Sequence, residues 1–277
     1  MIPQTRIALL FDNLKRNGRK GLIAFLTAGD PSPERTPALV EALERGGADL
    51  IELGVPFSDP IADGPVIQRA GQRALAVGTT LRKVLEIAAQ IRQRSEIPLL
   101  LFTYLNPVVR YGVEALARDA AACGIDGCLL TDASVEEAGD YVDAMRRHHL
   151  DTVFLAAPTS TERRLRLLAQ YSTGFVYLVS RTGVTGARES LSDAIAPLVA
   201  AVRAVTDLPL AVGFGISRPE HVAELGSQVE AVVVGSAIVD LIERNRDNTS
   251  LEIQLESFVR ELKQGFSSQT QRAVEAP

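Results

Sequence analysis

The stretch Asp49-Leu-Ile-Glu-Leu-Gly-Val-Pro-Phe-Ser-Asp-Pro-Ile-Ala-Asp-Gly-Pro65 is a short apolar run holding one carboxylate, followed by residues that favour turns. A run of this length, ended by Gly and Pro, reads as a strand buried on both faces. The same pattern recurs at 22–28, 99–104, 127–131, 152–156, 175–179, 210–214 and 231–234. Amphipathic helical stretches at 34–45, 80–94, 113–122, 135–148, 161–170, 191–205 and 219–225 lie between these runs. Helical crossovers between such strands imply parallel pairing. Eight strand–helix units match a single closed α/β barrel, (β/α)8 of the TIM type, better than an open sheet, although periodicity alone does not prove closure. The reading adds an extra N-terminal helix and an extended loop after strand two, residues 55–78. It assigns 1–263 to the barrel and 264–277, where apolar periodicity fades, to a disordered tail.

The 277 residues, 46% hydrophobic and 23% charged, suffice for one large buried core. A net charge of -5 argues against a phosphate-backbone grip on nucleic acid. The N-terminal 20 residues place an apolar run before a basic stretch, the reverse of a secretory signal, and no run reaches membrane-spanning length, so a cytoplasmic location is expected. Cys123 and Cys128 stand in apolar surroundings and read as buried reduced thiols, and His148, His149 and His221 read as solvated helix positions.

In a barrel of this kind chemistry sits at the C-terminal strand ends. Leu50, Glu52 and Gly54 share one face of strand two by the two-residue period. Glu52 either points outward to pair with a helix cation or faces the barrel mouth, where desolvation would raise its pKa and suit it to proton transfer near neutrality. In the following loop Asp59, between two prolines, reads as a turn former. Asp63, before Gly64 and Pro65, is the better candidate to reach across the mouth, although either Asp could serve only the turn. Glycines cluster after the last three strands, at 183–186, 213–215 and 235, the last followed by Ser236. Backbone N–H groups left open by glycine and helix starts there favour a phosphate-bearing substrate. Phe25, Phe102, Tyr104, Tyr177 and Phe214 stand at strand ends and are either core or the wall of an apolar pocket. No phosphate loop, dinucleotide fingerprint or metal-ligand cluster is legible, so a cofactor-free reaction using carboxylates is the economical inference.

The segment from Ile51 to Gln68 resembles the signature of tryptophan synthase α chains. So do Phe25-Leu-Thr-Ala-Gly-Asp-Pro31, Tyr104-Leu-Asn-Pro107, Ala157-Pro-Thr-Ser160, the 177–186 segment, Gly213-Phe-Gly-Ile-Ser217 and Val234-Gly-Ser-Ala237. The resemblance covers about residues 5–262. It implies retro-aldol cleavage of indole-3-glycerol phosphate to indole and glyceraldehyde 3-phosphate in tryptophan biosynthesis, with Glu52 and Asp63 as the catalytic pair. It further implies that Gly186, Gly215, Gly235 and Ser236 hold the phosphate, and that Phe25, Phe102, Tyr104, Tyr177 and Phe214 surround the indole ring. Thr185 would help a loop close over Asp63. The implied partner is a β chain carrying pyridoxal phosphate, in an α2β2 tetramer, with no cofactor in this chain. The loops after strands two, four and six are the expected contact and closure elements.

One departure from the family pattern stands after Asp132, where Ala133-Ser134-Val135 replaces a proline-containing segment. It puts the strength of the β contact in doubt and keeps a free-standing lyase as an alternative. A mainly activating subunit is disfavoured by the presence of both carboxylates. A phosphate-binding isomerase would need acid–base residues on strands one and five, which are apolar apart from Thr27 and Thr152.

Overall fold

The computed structural model describes residues 4–179, 191–213 and 215–274. Helix α1 (Arg6–Arg16) precedes β1 (Gly21–Thr27), α2 (Thr36–Gly46), β2 (Leu50–Gly54), α3 (Pro65–Ala76), α4 (Leu81–Arg92) and β3 (Leu99–Thr103). The middle of the chain gives α5 (Leu105–Tyr111), α6 (Val113–Ala122), β4 (Gly127–Leu130), α7 (Gly139–Arg147), β5 (Asp151–Ala156), α8 (Glu162–Tyr171) and β6 (Val176–Val179). Then come α9 (Leu191–Arg203), β7 (Leu210–Gly213), α10 (Pro219–Gly226), β8 (Ala231–Val234), α11 (Ser236–Asn245) and α12 (Leu251–Val274). The strands close into a parallel barrel in sequence order, with β1 paired to both β2 and β8. Strand edges fall within one residue of the sequence reading, because each apolar run ends at residues that cannot extend the ladder.

Two cores divide the side chains by strand parity. Ile23, Leu50, Leu100, Leu129, Val153, Ala211 and Ala231 fill the barrel interior, while Leu22, Ile51, Leu53, Leu101 and Val212 face the helices. The strand period of two makes this division, so Glu52 shares the inner face with Leu50. Gly47, with φ of 107°, ends α2: its N–H donates to Glu44 O and that of Ala48 to Leu43 O, turning the chain into β2.

The extra helix α1 closes the N-terminal end of the barrel, with Ile7, Phe11 and Leu14 in the inner core and Phe11 against Phe175 at 5.5 Å between centroids. Thr5 hydrogen-bonds Asp151, and Arg6 donates to the buried Asp126 at 3.1 Å. Several features differ from the sequence reading, which also gives no helix at α5. The segment after β2 contains a full helix, α3, whose start is set by Gly64 and by Pro65 at its first position. The end of the chain is helical to Val274 where 264–277 read as a tail; Phe266 packs on the outer core and Gly265 lies close to Pro219, contacts that no helical periodicity announces. His149 does not sit on a helix face but follows α7 with φ of 57°, whereas His148 lies beside Glu114 at 2.9 Å. Both cysteines are free, Cys128 buried and Cys123 half-buried. No helix among the described residues is long and apolar enough to cross a membrane, and no cluster of His, Cys, Asp or Glu among them is arranged to hold a metal ion.

Candidate active site

A cavity of about 460 Å³ opens at the C-terminal end of the barrel. Glu52 forms part of its wall from the inner face of β2. It is 1% exposed, and its Oε1 has no hydrogen-bond partner among the described residues. Burial alone pushes its pKa from the ordinary 4.5 up to about 8, because removal from water disfavours the charged form. At neutral pH Glu52 is therefore a carboxylic acid with a proton to give, and its conjugate base is strong enough to take one back.

The wall beside Glu52 is apolar. Phe25 and Phe102 meet edge to face at 5.2 Å between centroids, and Tyr177, Val233 and Ile216 continue the surface. Tyr177 can occupy its place only because residue 213 is glycine: a Cβ there would lie 1.9 Å from the Tyr177 hydroxyl. A slot between aromatic rings suits a flat hydrophobic ligand. Next to Phe25, Gly235 and Ser236 begin α11, and Gly215 takes a left-handed φ of 53°. This helix start offers backbone N–H groups and the positive end of its dipole to an anion.

Asp63 lies in an adjoining recess, which shares Phe25, Phe102 and Ile67 with the main cavity. Its carboxyl is raised to about 6, chiefly by burial and opposed by a hydrogen bond from the Tyr104 hydroxyl. The same hydroxyl accepts from the Ala62 N–H at 3.1 Å, while Gln68 Nε2 donates to the Asp63 carbonyl at 2.9 Å. Tyr104, read from sequence as a ring neighbour of the ligand, thus stands in the recess and anchors the loop that carries Asp63. Asp59 is exposed and bonded to Ser58, as befits a turn residue.

Thr185, Gly186 and Phe214 lie outside the described residues. Sequence reasoning missed Gly64, Val66 and Ile67, which reach the cavity from the first turn of α3. The Gly64-Pro65 helix start was the available signal. It also missed that Asp132 caps α5, accepting from the Leu105 N–H at 2.7 Å. The Ala133-Ser134-Val135 departure leaves this cap intact and leads into a short 3-10 turn over Val135–Glu137 with Val135 buried.

A family model described as tryptophan synthase alpha chain matches residues 11–267. The chain belongs to that family. The tryptophan synthase alpha chain of Solibacter usitatus is 77% identical over 264 residues, covering 95% of this chain and 99% of the relative. That of Geotalea uraniireducens is 50% identical, with 95% and 98% coverage. Among solved structures, tryptophan synthase subunit alpha of Legionella pneumophila superposes with a TM-score of 0.87 at 34% identity, over 96% of this chain and 100% of that one. A Mycobacterium tuberculosis tryptophan synthase chain gives 0.85 at 36%, over 95% and 99%. Tryptophan synthase alpha chains are thus matched along the whole barrel, both in sequence and in fold.

Proposed function

We propose that Glu52 is the acid–base group and Asp63 the charge-stabilising carboxylate of the tryptophan synthase alpha reaction, the cleavage of indole-3-glycerol phosphate to indole and glyceraldehyde 3-phosphate. The observation that carries this reading is Glu52, a buried acid held neutral near pH 7 in the wall of an apolar cavity. Glu52 delivers its proton to indole C3. The bond from C3 to the glycerol phosphate side chain then breaks, its electron pair returns to the ring, and the side-chain hydroxyl loses a proton as it becomes an aldehyde. The carboxylate left on Glu52 accepts that proton, so the acid is regenerated.

Protonation at C3 leaves positive charge at the ring nitrogen. Asp63, ionised above about pH 6, faces that N–H and stabilises charge that exists mainly near the transition state. Phe25, Phe102, Tyr177 and Phe214 hold the ring, while Gly186, Gly215, Gly235 and Ser236 hold the phosphate. Thr185 helps a loop close over Asp63 and exclude water. No cofactor takes part in this chain's reaction, since every step is a proton transfer or a bond cleavage assisted by one.

Indole then passes to a β chain, in which pyridoxal phosphate supports its joining to serine. Ile61, 83% exposed in the loop after β2, and Val109, 61% exposed on α5, are apolar groups at the end of the barrel that holds the cavity. They support contact with a β chain through that face; the α2β2 tetramer is taken from the family resemblance alone, and the cytoplasm is the expectation from sequence. The test follows glyceraldehyde 3-phosphate release with and without a β chain, beside Glu52→Gln and Asp63→Asn. Loss in both variants and strong stimulation by β are expected. Activity that survives Glu52→Gln overturns the assignment, and brisk cleavage indifferent to β points to a free-standing lyase.

A further inference from the structure

The Phe25–Pro31 motif contributes Phe25 to the cavity, but the reaction uses nothing else in it. Asp30 within that motif is 1% exposed. Arg73 of α3 grips it with two hydrogen bonds, Nε to Oδ1 at 2.7 Å and Nη2 to Oδ2 at 2.8 Å. The remaining arm of the guanidinium, Nη1, donates to Glu243 of α11 at 2.9 Å. Glu243 also accepts from Arg69, one turn earlier on α3, at 2.8 and 2.9 Å. One side chain therefore joins the loop after β1 to the two helices whose first turns line the cavity.

Beyond its first turn, the apolar packing of α3 rests on small side chains. Its fully buried residues are Ala70, Gly71 and Ala74, Val66 and Ile67 at its start pack half-buried on the small cluster of Phe25, Ala70 and Val239, and Leu75 near its end is exposed. Small side chains give weak, non-directional contact and permit a helix to slide. A planar fork closed on a carboxylate is directional and tolerates little displacement. Buried ion pairs are in general a weak argument for stability, since desolvation offsets their attraction. What this one supplies is position.

We infer that Arg73, locked between Asp30 and Glu243, is a positioning residue that holds α3, and with it Asp63, in register with the substrate cavity. The inference rests on the role proposed above for Asp63. The experiment compares Arg73→Lys, Asp63→Asn and the double variant in the complex with a β chain, at a temperature where circular dichroism shows all of them folded. Lysine keeps a cation against Asp30 and loses the fork. The expected result is a fall in kcat of about tenfold with KM changed by less than about threefold, since small misplacement of a reacting group acts on the rate. In the Asp63→Asn background the same substitution should remove less than about twofold more, because the two act through one group.

A lower melting temperature with unchanged kcat overturns the inference, and so do losses that multiply independently in the double variant. Full activity in Asp63→Asn sinks the assigned role of Asp63 and the inference with it, whereas a loss there beside an unaffected Arg73→Lys sinks the inference alone. Should Arg73→Lys fail to fold, Glu243→Gln releases only the α11 end and leaves the Asp30 fork in place. A fall in kcat of roughly two- to fivefold, again absorbed by Asp63→Asn, is expected of it, and an unchanged kcat overturns the inference.

Discussion

Replacing Glu52 by Gln keeps the shape of the side chain and removes its titration, which makes the burial of this carboxyl measurable as a pH-dependent stability. In the fold Glu52 ionises near pH 8, and its ordinary value is 4.5. Between those values the unfolded chain has released the proton and the folded chain still holds it. Folding stability therefore falls as pH rises, by about 1.4 kcal/mol per pH unit in the middle of the window, and levels off above pH 8. From pH 5 to pH 8.5 wild type should lose about 4 kcal/mol relative to Glu52→Gln, which feels no such change. The raised carboxyl of Asp63 is present in both proteins and cancels in the difference. Urea unfolding of the two proteins at pH 5, 6, 7, 8 and 8.5, at fixed ionic strength, reads the effect directly. A differential below about 1 kcal/mol across that range would mean that Glu52 is hydrated or paired in the fold and could not serve as the neutral acid.

Further outcomes follow from neighbouring groups. The pH profile of kcat/KM should be bell-shaped with limbs near 6 and 8, reporting ionised Asp63 and protonated Glu52; a flat profile across that interval contradicts the assignment. Tyr104→Phe removes the hydrogen bond that favours the Asp63 carboxylate, so the acid limb should move to higher pH, and a downward shift refutes that contact. Gly213→Ala forces Tyr177 from its place, and about tenfold or greater loss of kcat/KM is expected with the fold retained by circular dichroism. Asp126, buried at the opposite end of the barrel, accepts from Arg6 and Arg92, both at 3.1 Å, and from the Leu99 N–H at 2.9 Å. Asp126→Ala should cost about 3 kcal/mol in urea unfolding while leaving kcat within about twofold, because that end of a barrel serves stability.

The alternation of apolar runs and amphipathic stretches determined a parallel α/β architecture, and the count of eight units favoured a barrel, while the pairing of β1 with β8 that closes it belongs to the tertiary structure. The two-residue period then put Glu52 on a face with Leu50, and a lone carboxylate in such a run stood out without any structure. The turn-rich segment before Pro65 marked Asp63 in the same way. These features are local, so the sequence carries them. The helix α3 escaped because the Pro, Gly and Asp residues at the start of the 55–78 segment mark it as loop, although Ile67, Ala70 and Ala74 lie at helical spacing, and the end of α12 escaped because Phe266 and Gly265 find their partners far back in the chain. Only the tertiary structure decided that Glu52 stays protonated, that Tyr104 holds the Asp63 loop, and that Arg73 reaches Asp30 and Glu243, 43 and 170 residues away in sequence. Desolvation and directional hydrogen bonds depend on what the folded chain brings within a few ångströms, and no local pattern of residues contains those distances.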